Sequence, residues 1–257
     1  MKSKHLILSA VVALAGFLPQ SKASLNLGSA DSFAVLGGET ITSTGNTVIY
    51  GDVGLYAGSA IVGFPPGIVN GAKYGPDDDS IALNAKNDAR VAYTVLAGET
   101  SQDWSSTALV GLTLDPGVRR FTSDLLLTGV VTLNGGGNPN ARFDFLIGSA
   151  LTTGSSSSIV LINGAQWDNV FWQVGSSATL GTGTSFNGSI LANTSIALDT
   201  GANMFGRALA LNGAVTLDNN NITAVPEPAS FWSGAVCISV FGAWQWLVAW
   251  RRKAGRS

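Results

Sequence analysis

From residue 177 to the low 220s, short apolar runs are separated by stretches rich in glycine, asparagine and hydroxyl-bearing residues. Such runs between turn residues read as short strands. The runs recur. Leu180 and Leu198 are 18 residues apart, as are Gly183 and Gly201, Phe186 and Met204, Gly188 and Gly206, Leu191 and Leu209, and Ala192 and Ala210. A partial third copy, "NGAVTLDNN", follows at 212–220. A period of about 18 to 20 residues suits one turn of a β-solenoid, with two or three short strands and small residues at the corners. Equivalent residues of stacked turns then lie about 4.8 Å apart. The period fades before residue 175, which predicts an irregular solenoid. An immunoglobulin-like sandwich is the competing fold, but it gives no reason for the repeat.

One segment follows a different period. In residues 77–98, Ile81, Ala85, Ala89, Ala92 and Leu96 recur every three or four positions and form an apolar stripe. The pattern predicts a helix, with Asp77 to Asp79 in its first turn and Gly98 placed to end it. Asp88 and Arg90 fall off the stripe. Such a helix buries its stripe along the side of the strand body. Earlier strands are marked by turn signals at 115–117, 128–129 and 134–140.

The two ends read differently from the body. Residues 1–23 carry Lys2 and Lys4, then an apolar run, then Ser21-Lys22-Ala23, the layout of a secretory signal cleaved after Ala23. An uncleaved anchor is the alternative, disfavoured by the shortness of the apolar run. Residues 230–250 contain no charge and are long enough to cross a bilayer as a helix. Trp232, Trp246 and Trp250 lie near the ends of this segment, and Arg251-Arg252-Lys253 follow it, favouring a cytoplasmic C-terminal end. Immediately upstream stands Val225-Pro226-Glu227-Pro228. The order Val-Pro-Glu-Pro, apolar helix and arginine cluster resembles the PEP-CTERM sorting signal of Gram-negative bacteria. That resemblance implies export, recognition by an exosortase-type enzyme, transient anchoring in the inner membrane, and delivery to the cell surface, the extracellular polysaccharide matrix or the medium. A plain tail anchor is the alternative. The expected organisation is thus a signal at 1–23, a solenoid body at 24–224 and a sorting signal at 225–257.

Composition limits what the body does. Residues 24–224 hold 7 Lys and Arg against 15 Asp and Glu, a net charge of −8, which disfavours nucleic acid. The single histidine is His5 and the single cysteine is Cys237, both outside the body. Histidine- or cysteine-dependent nucleophilic sites, zinc sites built on those ligands, and disulfides are therefore excluded from it. "GGG" at 135–137 lacks the Lys-Ser/Thr of a phosphate loop. "DDD" at 77–79 lacks the spacing of a calcium loop and suits a helix start better. Asp199 and Asp218 could pair to cleave sugars, yet aspartates scattered through turns are commoner. No metal or cofactor is expected. Trp167, Phe171 and Trp172 cluster in a strand segment and read as core.

A Thr-Gly pattern recurs in the body. It stands as Thr44-Gly45-Asn46-Thr47, Thr153-Gly154-Ser155-Ser156, Thr182-Gly183-Thr184-Ser185 and Thr200-Gly201-Ala202-Asn203. With "LGSADSFAVLGGETITSTGNTVIYGDVG" (27–54), "VGFPPG" (62–67), "GLTLDPGV" (111–118), residues 137–192 and "GRALALNGAVTLDNNNIT" (206–223), the body resembles the bacterial and fungal ice-binding-like family. The resemblance implies a mainly β fold: a discontinuous, triangular β-solenoid with one helix alongside, whose first turn need not stack on its second. The 44–47 copy could then lie beside the C-terminal copies. It also implies a flat face bearing Thr-Ala/Gly-x-Thr/Asn that binds ice without catalysis, and maps onto Thr44, Thr47, Thr153, Ser156, Thr182, Ser185, Thr200 and Asn203. Threonine suits the role, because it carries a methyl and a hydroxyl on a side chain with few rotamers. Three functions compete: an exported ice-binding protein, a non-enzymatic matrix protein or adhesin on the same fold, and a polysaccharide-acting enzyme. The missing histidine argues against the last. Solenoid corners also favour Thr and Gly for purely structural reasons.

Overall fold

A computed structural model describes residues 25–75 and 79–224. Among these, every strand pairing is parallel, and the strands form three sheets of nine, eight and eight. One coil illustrates the rest. Val170–Val174 lies on the first sheet, Ala178–Leu180 on the second, Ser185–Asn187 on the third, and Ser189–Ala192 returns to the first. We call these faces A, B and C. Parallel neighbours need a long crossover, and here the other two faces provide it.

From Gln102–Asp103 to Asn221–Thr223 the paired strands stack in register. Ser158 pairs with Ser185, and Ser185 with Asn203, so the spacing falls from 27 residues to 18. The faded period comes from longer corners between faces C and A. One such corner, between Val130–Asn134 and Phe143–Ile147, holds the turn at 135–142. The solenoid is irregular as expected: its corners differ in length, and the register shifts once, between Phe33 and Val35. A separate discontinuity exists at one end. Phe33–Gly37 inserts between Ala208–Ala210 and Asp52–Leu55, so the first coil sits on the last. Thr44 pairs with Asp218, and the 44–47 corner does lie beside the C-terminal copies.

The helix Asp79–Ala97 solves the problem this order creates. The chain leaves one end of face A at Lys73–Tyr74 and must reach the opposite end at Gln102–Asp103. Nine strands span about 38 Å at 4.8 Å each, and a 19-residue helix covers about 28 Å of it at 1.5 Å per residue. Ala85, Ala89, Ala92 and Leu96 are buried against face A, and Ala82 is buried in the turn before them. Ile81 is not in that stripe; it is 45% exposed, and Ala82 takes the place expected for it. Alanine lets the helix approach Leu36, Leu146, Phe171, Leu191 and Leu209 closely. The middle of face A is therefore buried on both sides: every residue of Phe33–Gly37, Phe143–Ile147 and Val170–Val174 is buried, and these strands are almost wholly apolar.

Polar contacts fasten the helix at its middle and at its C-terminal end. The backbone N–H and hydroxyl of Ser29 donate to Asp88, which lowers the Asp88 pKa. At the C-terminal end Gly98 N–H reaches the Thr94 carbonyl, and the Arg120 guanidinium donates to the Ala97 carbonyl at 3.0 Å. A cation there satisfies free carbonyls and complements the helix dipole. Beyond it, Arg142 bridges Glu99 and Asp144 at 3.0 and 2.9 Å, all three nearly buried. Arg207 holds the N-terminal segment, bonding the Asp31 carbonyl and carboxylate under the Trp167 ring. Burial lowers the Arg207 pKa, against the pull of Asp31 and Asp168. Trp167 is thus a half-exposed lid over a cation, whereas Phe171 and Trp172 are core.

Inside the solenoid, Trp172 stacks on Phe145 at 3.8 Å and 6°, tilts against Phe186, and donates to the Asn187 carbonyl. Replacing it by alanine leaves a cavity in a packed column, a change worth about 3–5 kcal/mol. Trp172→Ala should lower the urea unfolding midpoint correspondingly; a loss under about 1 kcal/mol would contradict this packing account.

Candidate functional site

Faces B and C meet at a corner built of small and hydroxyl-bearing residues. Backbone hydrogen bonds run up this corner from coil to coil: Ser156 N–H to Thr182, Gly183 N–H to Thr200, Gly201 N–H to Asp218, and Asn219 N–H to Thr44. The Asn219 carboxamide accepts from Asn46 N–H at 2.9 Å, tying the first coil to the last. The Thr200 hydroxyl donates to Asp218.

The corner holds all four Thr-Gly copies, but not in one frame. Thr182 and Thr200 are equivalent, exposed corner residues, and Ser185 and Asn203 are equivalent, exposed first residues of face C. Thr44 instead pairs with Asp218, at the end of a face B strand, and is exposed. Its partner Thr47 is fully buried, with its hydroxyl accepting from Asn220 N–H. Thr153 pairs with Leu180 and is buried, its hydroxyl 2.8 Å from that of Thr184. Ser156 is exposed with φ of 57°, where the equivalent coil carries Gly183. Thr47 and Thr153 are therefore interior residues and do not belong to a surface. The corner offers small polar residues at several consecutive positions, so a four-letter pattern matches it in more than one frame.

The surface beside the corner is more regular. On face B, inward residues such as Ile41, Leu180 and Leu198 alternate with a single outward row. Thr42 pairs with Thr216, Thr216 with Ala197, Ala197 with Thr179, and Thr179 with Thr152. Val62 extends the row beyond Thr42, and Leu126 and Ala108 extend it beyond Thr152. The five central residues, from Thr42 to Thr152, span about 19 Å at the strand spacing. None is charged or aromatic. The edge of face B next to face A carries Ser177, Ser195 and Ala214, also small, with Ser195 Oγ accepting from Ala214 N–H. Charge is confined to the margins, with Asp199 and Asp218 at the B–C corner and Asp124 near one end.

Four row members, Thr42, Thr152, Thr179 and Thr216, escape a search for the Thr-Gly repeat. Their signal is a different one: Ile-Thr-Ser, Leu-Thr-Thr, Ala-Thr-Leu and Val-Thr-Leu, each a threonine between two inward-facing residues. β-Branched threonines on a rigid sheet have little rotamer freedom left to lose on contact.

Fold and face together define a discontinuous three-sided parallel β-solenoid with one side that bears an in-register, uncharged row rich in hydroxyls. The chain belongs to the ice-binding-like family, whose profile matches residues 35–223. It is similar to the ice-binding protein of Nostoc sp. (strain HG1), with 49% identity over 242 residues, 88% of this chain and 89% of that one. It is also similar to ice-binding protein 1 of Shewanella frigidimarina (strain NCIMB 400), with 35% identity over 80% of this chain and 27% of that longer protein. Among solved structures, the ice-binding protein of the Antarctic ascomycete Antarctomyces psychrotrophicus superposes with a TM-score of 0.76 and 40% identity. That match covers 80% of this chain and all of the ascomycete chain.

Two glycines test the corner's construction. Gly45 and Gly201 both have φ of +71°, but an added Cβ meets open space at Gly201 and the Asn219 carboxamide at Gly45. Gly201→Ala should cost about 1–2 kcal/mol from the left-handed backbone alone. Gly45→Ala should cost more, because it also displaces the Asn46–Asn219 bond between first and last coils. Equal losses in urea unfolding would contradict this corner.

Proposed function

We propose that this protein binds ice through face B. The observation that carries the reading is the in-register, charge-free Thr/Ala row Thr42–Thr216–Ala197–Thr179–Thr152 on a sheet whose other side is core. Methyl groups at the strand spacing present apolar surface, and hydroxyls between them hydrogen-bond an ordered water layer. Each contact is weak, and rigidity lets many form at once. A charge within the row would keep its own hydration shell and break that layer. The exposed corner residues Thr44, Thr182 and Thr200, with Ser156, Ser185 and Asn203, flank the row and widen the contact. Family membership and the ice-binding relatives support the reading. Adsorption of this kind restrains ice growth and recrystallisation without any reaction.

The proposal extends to the ends of the chain, which lie outside the described residues. Residues 1–23 direct export, leaving 24–224 as the body. Val225, Pro226, Glu227 and Pro228, with the apolar stretch 230–250 and Arg251 and Arg252, form a sorting signal read by an exosortase-type enzyme. Ice binding then acts at the cell surface or in the surrounding polysaccharide. No helix among the described residues is long and apolar enough to cross a membrane.

The decisive comparison is ice-recrystallisation inhibition by the parent protein, a Thr179→Tyr/Thr216→Tyr variant and a Thr44→Tyr/Thr200→Tyr variant. The central pair should abolish inhibition at matched concentration with unchanged circular dichroism, while the corner pair weakens it. An inert parent would refute ice binding. An active central-pair variant would move the site off face B.

A further inference from the structure

Face C is the second solvent-facing sheet, and its chemistry differs from that of face B. Its eight strands contain no Asp, Glu, Lys, Arg or His. One outward row runs Asn70–Tyr50–Thr223–Phe205–Asn187 in paired register. Tyr50 is 45% and Phe205 50% exposed, and both stand two strands apart with the smaller Thr223 between them. Asn221 is exposed in the adjoining row, next to Val48 and Asn203. The result is two aromatic platforms separated by about 9.6 Å along the stack, each with a carboxamide one strand further out.

We propose that this strip binds an uncharged, extended β-linked polysaccharide. Tyr50 and Phe205 stack on alternate sugar rings, and Asn70, Asn187 and Asn221 meet the hydroxyls. The face of an aromatic ring is electron-rich and attracts the C–H bonds that line one side of a pyranose ring. A carboxamide offers both donors and acceptors to vicinal hydroxyls. Asn187 already donates to the Ile159 carbonyl at 2.8 Å, which fixes its side chain and leaves its oxygen as acceptor. The absence of charge on all eight strands, together with a body of net charge −8, selects a neutral chain over an anionic one. Two protruding rings separated by a notch do not fit a flat crystal plane, so face C does not duplicate face B. A second copy of the protein fits poorly as well. Face C measures about 34 Å by 10 Å, well short of the roughly 800 Å² per partner that a stable pairing buries. A linear glycan lying along the stack needs only this narrow strip. The inference does not depend on ice binding; it gives the body a hold on a matrix while face B stays free.

The test is binding of the full-length protein to cellohexaose by calorimetry and to microcrystalline cellulose by co-sedimentation, above freezing. Binding should fall at least tenfold in Tyr50→Ala and in Phe205→Ala, and Asn70→Ala should weaken it less. Polygalacturonate should not compete. Ice-recrystallisation inhibition should be unchanged in all three variants, which separates this site from face B. No binding by the parent overturns the proposal, as does undiminished binding by a Tyr50→Ala/Phe205→Ala variant. A parent dimer that the same double variant converts to monomer also overturns it, by assigning face C to self-association.

Discussion

A three-residue strand on face B or C buries at most two side chains, and the whole molecule depends on those inward positions repeating in register. Leu180 beneath Leu198 beneath Leu217 forms one such column on face B, and Phe186 beneath Met204 beneath Ile222 forms another on face C. Burial of these columns fixes the phase of each strand, since a slip of one residue would turn every apolar side chain to solvent. The outward rows are the complement of that phase. Thr179 and Thr216 are held on the surface because Leu180 and Leu217 are held inside.

The body carries no cysteine, so neither disulfides nor thiol-bound metal hold the coils together. Two devices compensate. The alanine-striped helix closes face A and leaves only B and C as solvent-facing sheets. The first coil docks on the last, joined by the Phe33–Gly37 pairing, the Asn46–Asn219 bond and Arg207 with Asp31. This inserted coil also lengthens face B, because Thr42 joins the row only through its pairing with Thr216. Discontinuity in the chain produces continuity in the surface.

Much of this was legible in the sequence. The 18-residue offset identified the solenoid because the C-terminal coils have minimal corners, and the 3.6-residue stripe located the helix. The family pattern placed the first coil by the last, which periodicity alone could not have done. Other features were hidden for physical reasons. Residues 135–142 and 163–169 enlarge corners without disturbing strands, so they mask a register that survives in space. Ile81 looked like core because the stripe can be drawn from either of two adjacent residues, and only docking selects Ala82. Thr47 and Thr153 matched a surface pattern by residue type, but a corner hydroxyl can equally point inward and satisfy a backbone or side-chain partner, as theirs do.

The central claim is that an uncharged row on face B, rather than any single side chain, makes the contact with ice. The most direct measurement places a charge at its centre and follows adsorption of fluorescently labelled protein to a growing ice hemisphere. Ala197 sits between Thr216 and Thr179 with its side chain outward, so Ala197→Lys adds a hydrated cation without removing a threonine. The account predicts that the lysine variant keeps its fold and is excluded from the ice, while a Val160→Lys control, at an exposed position of face C away from the B–C corner, still adsorbs. Ice uptake by Ala197→Lys equal to that of the parent would contradict it.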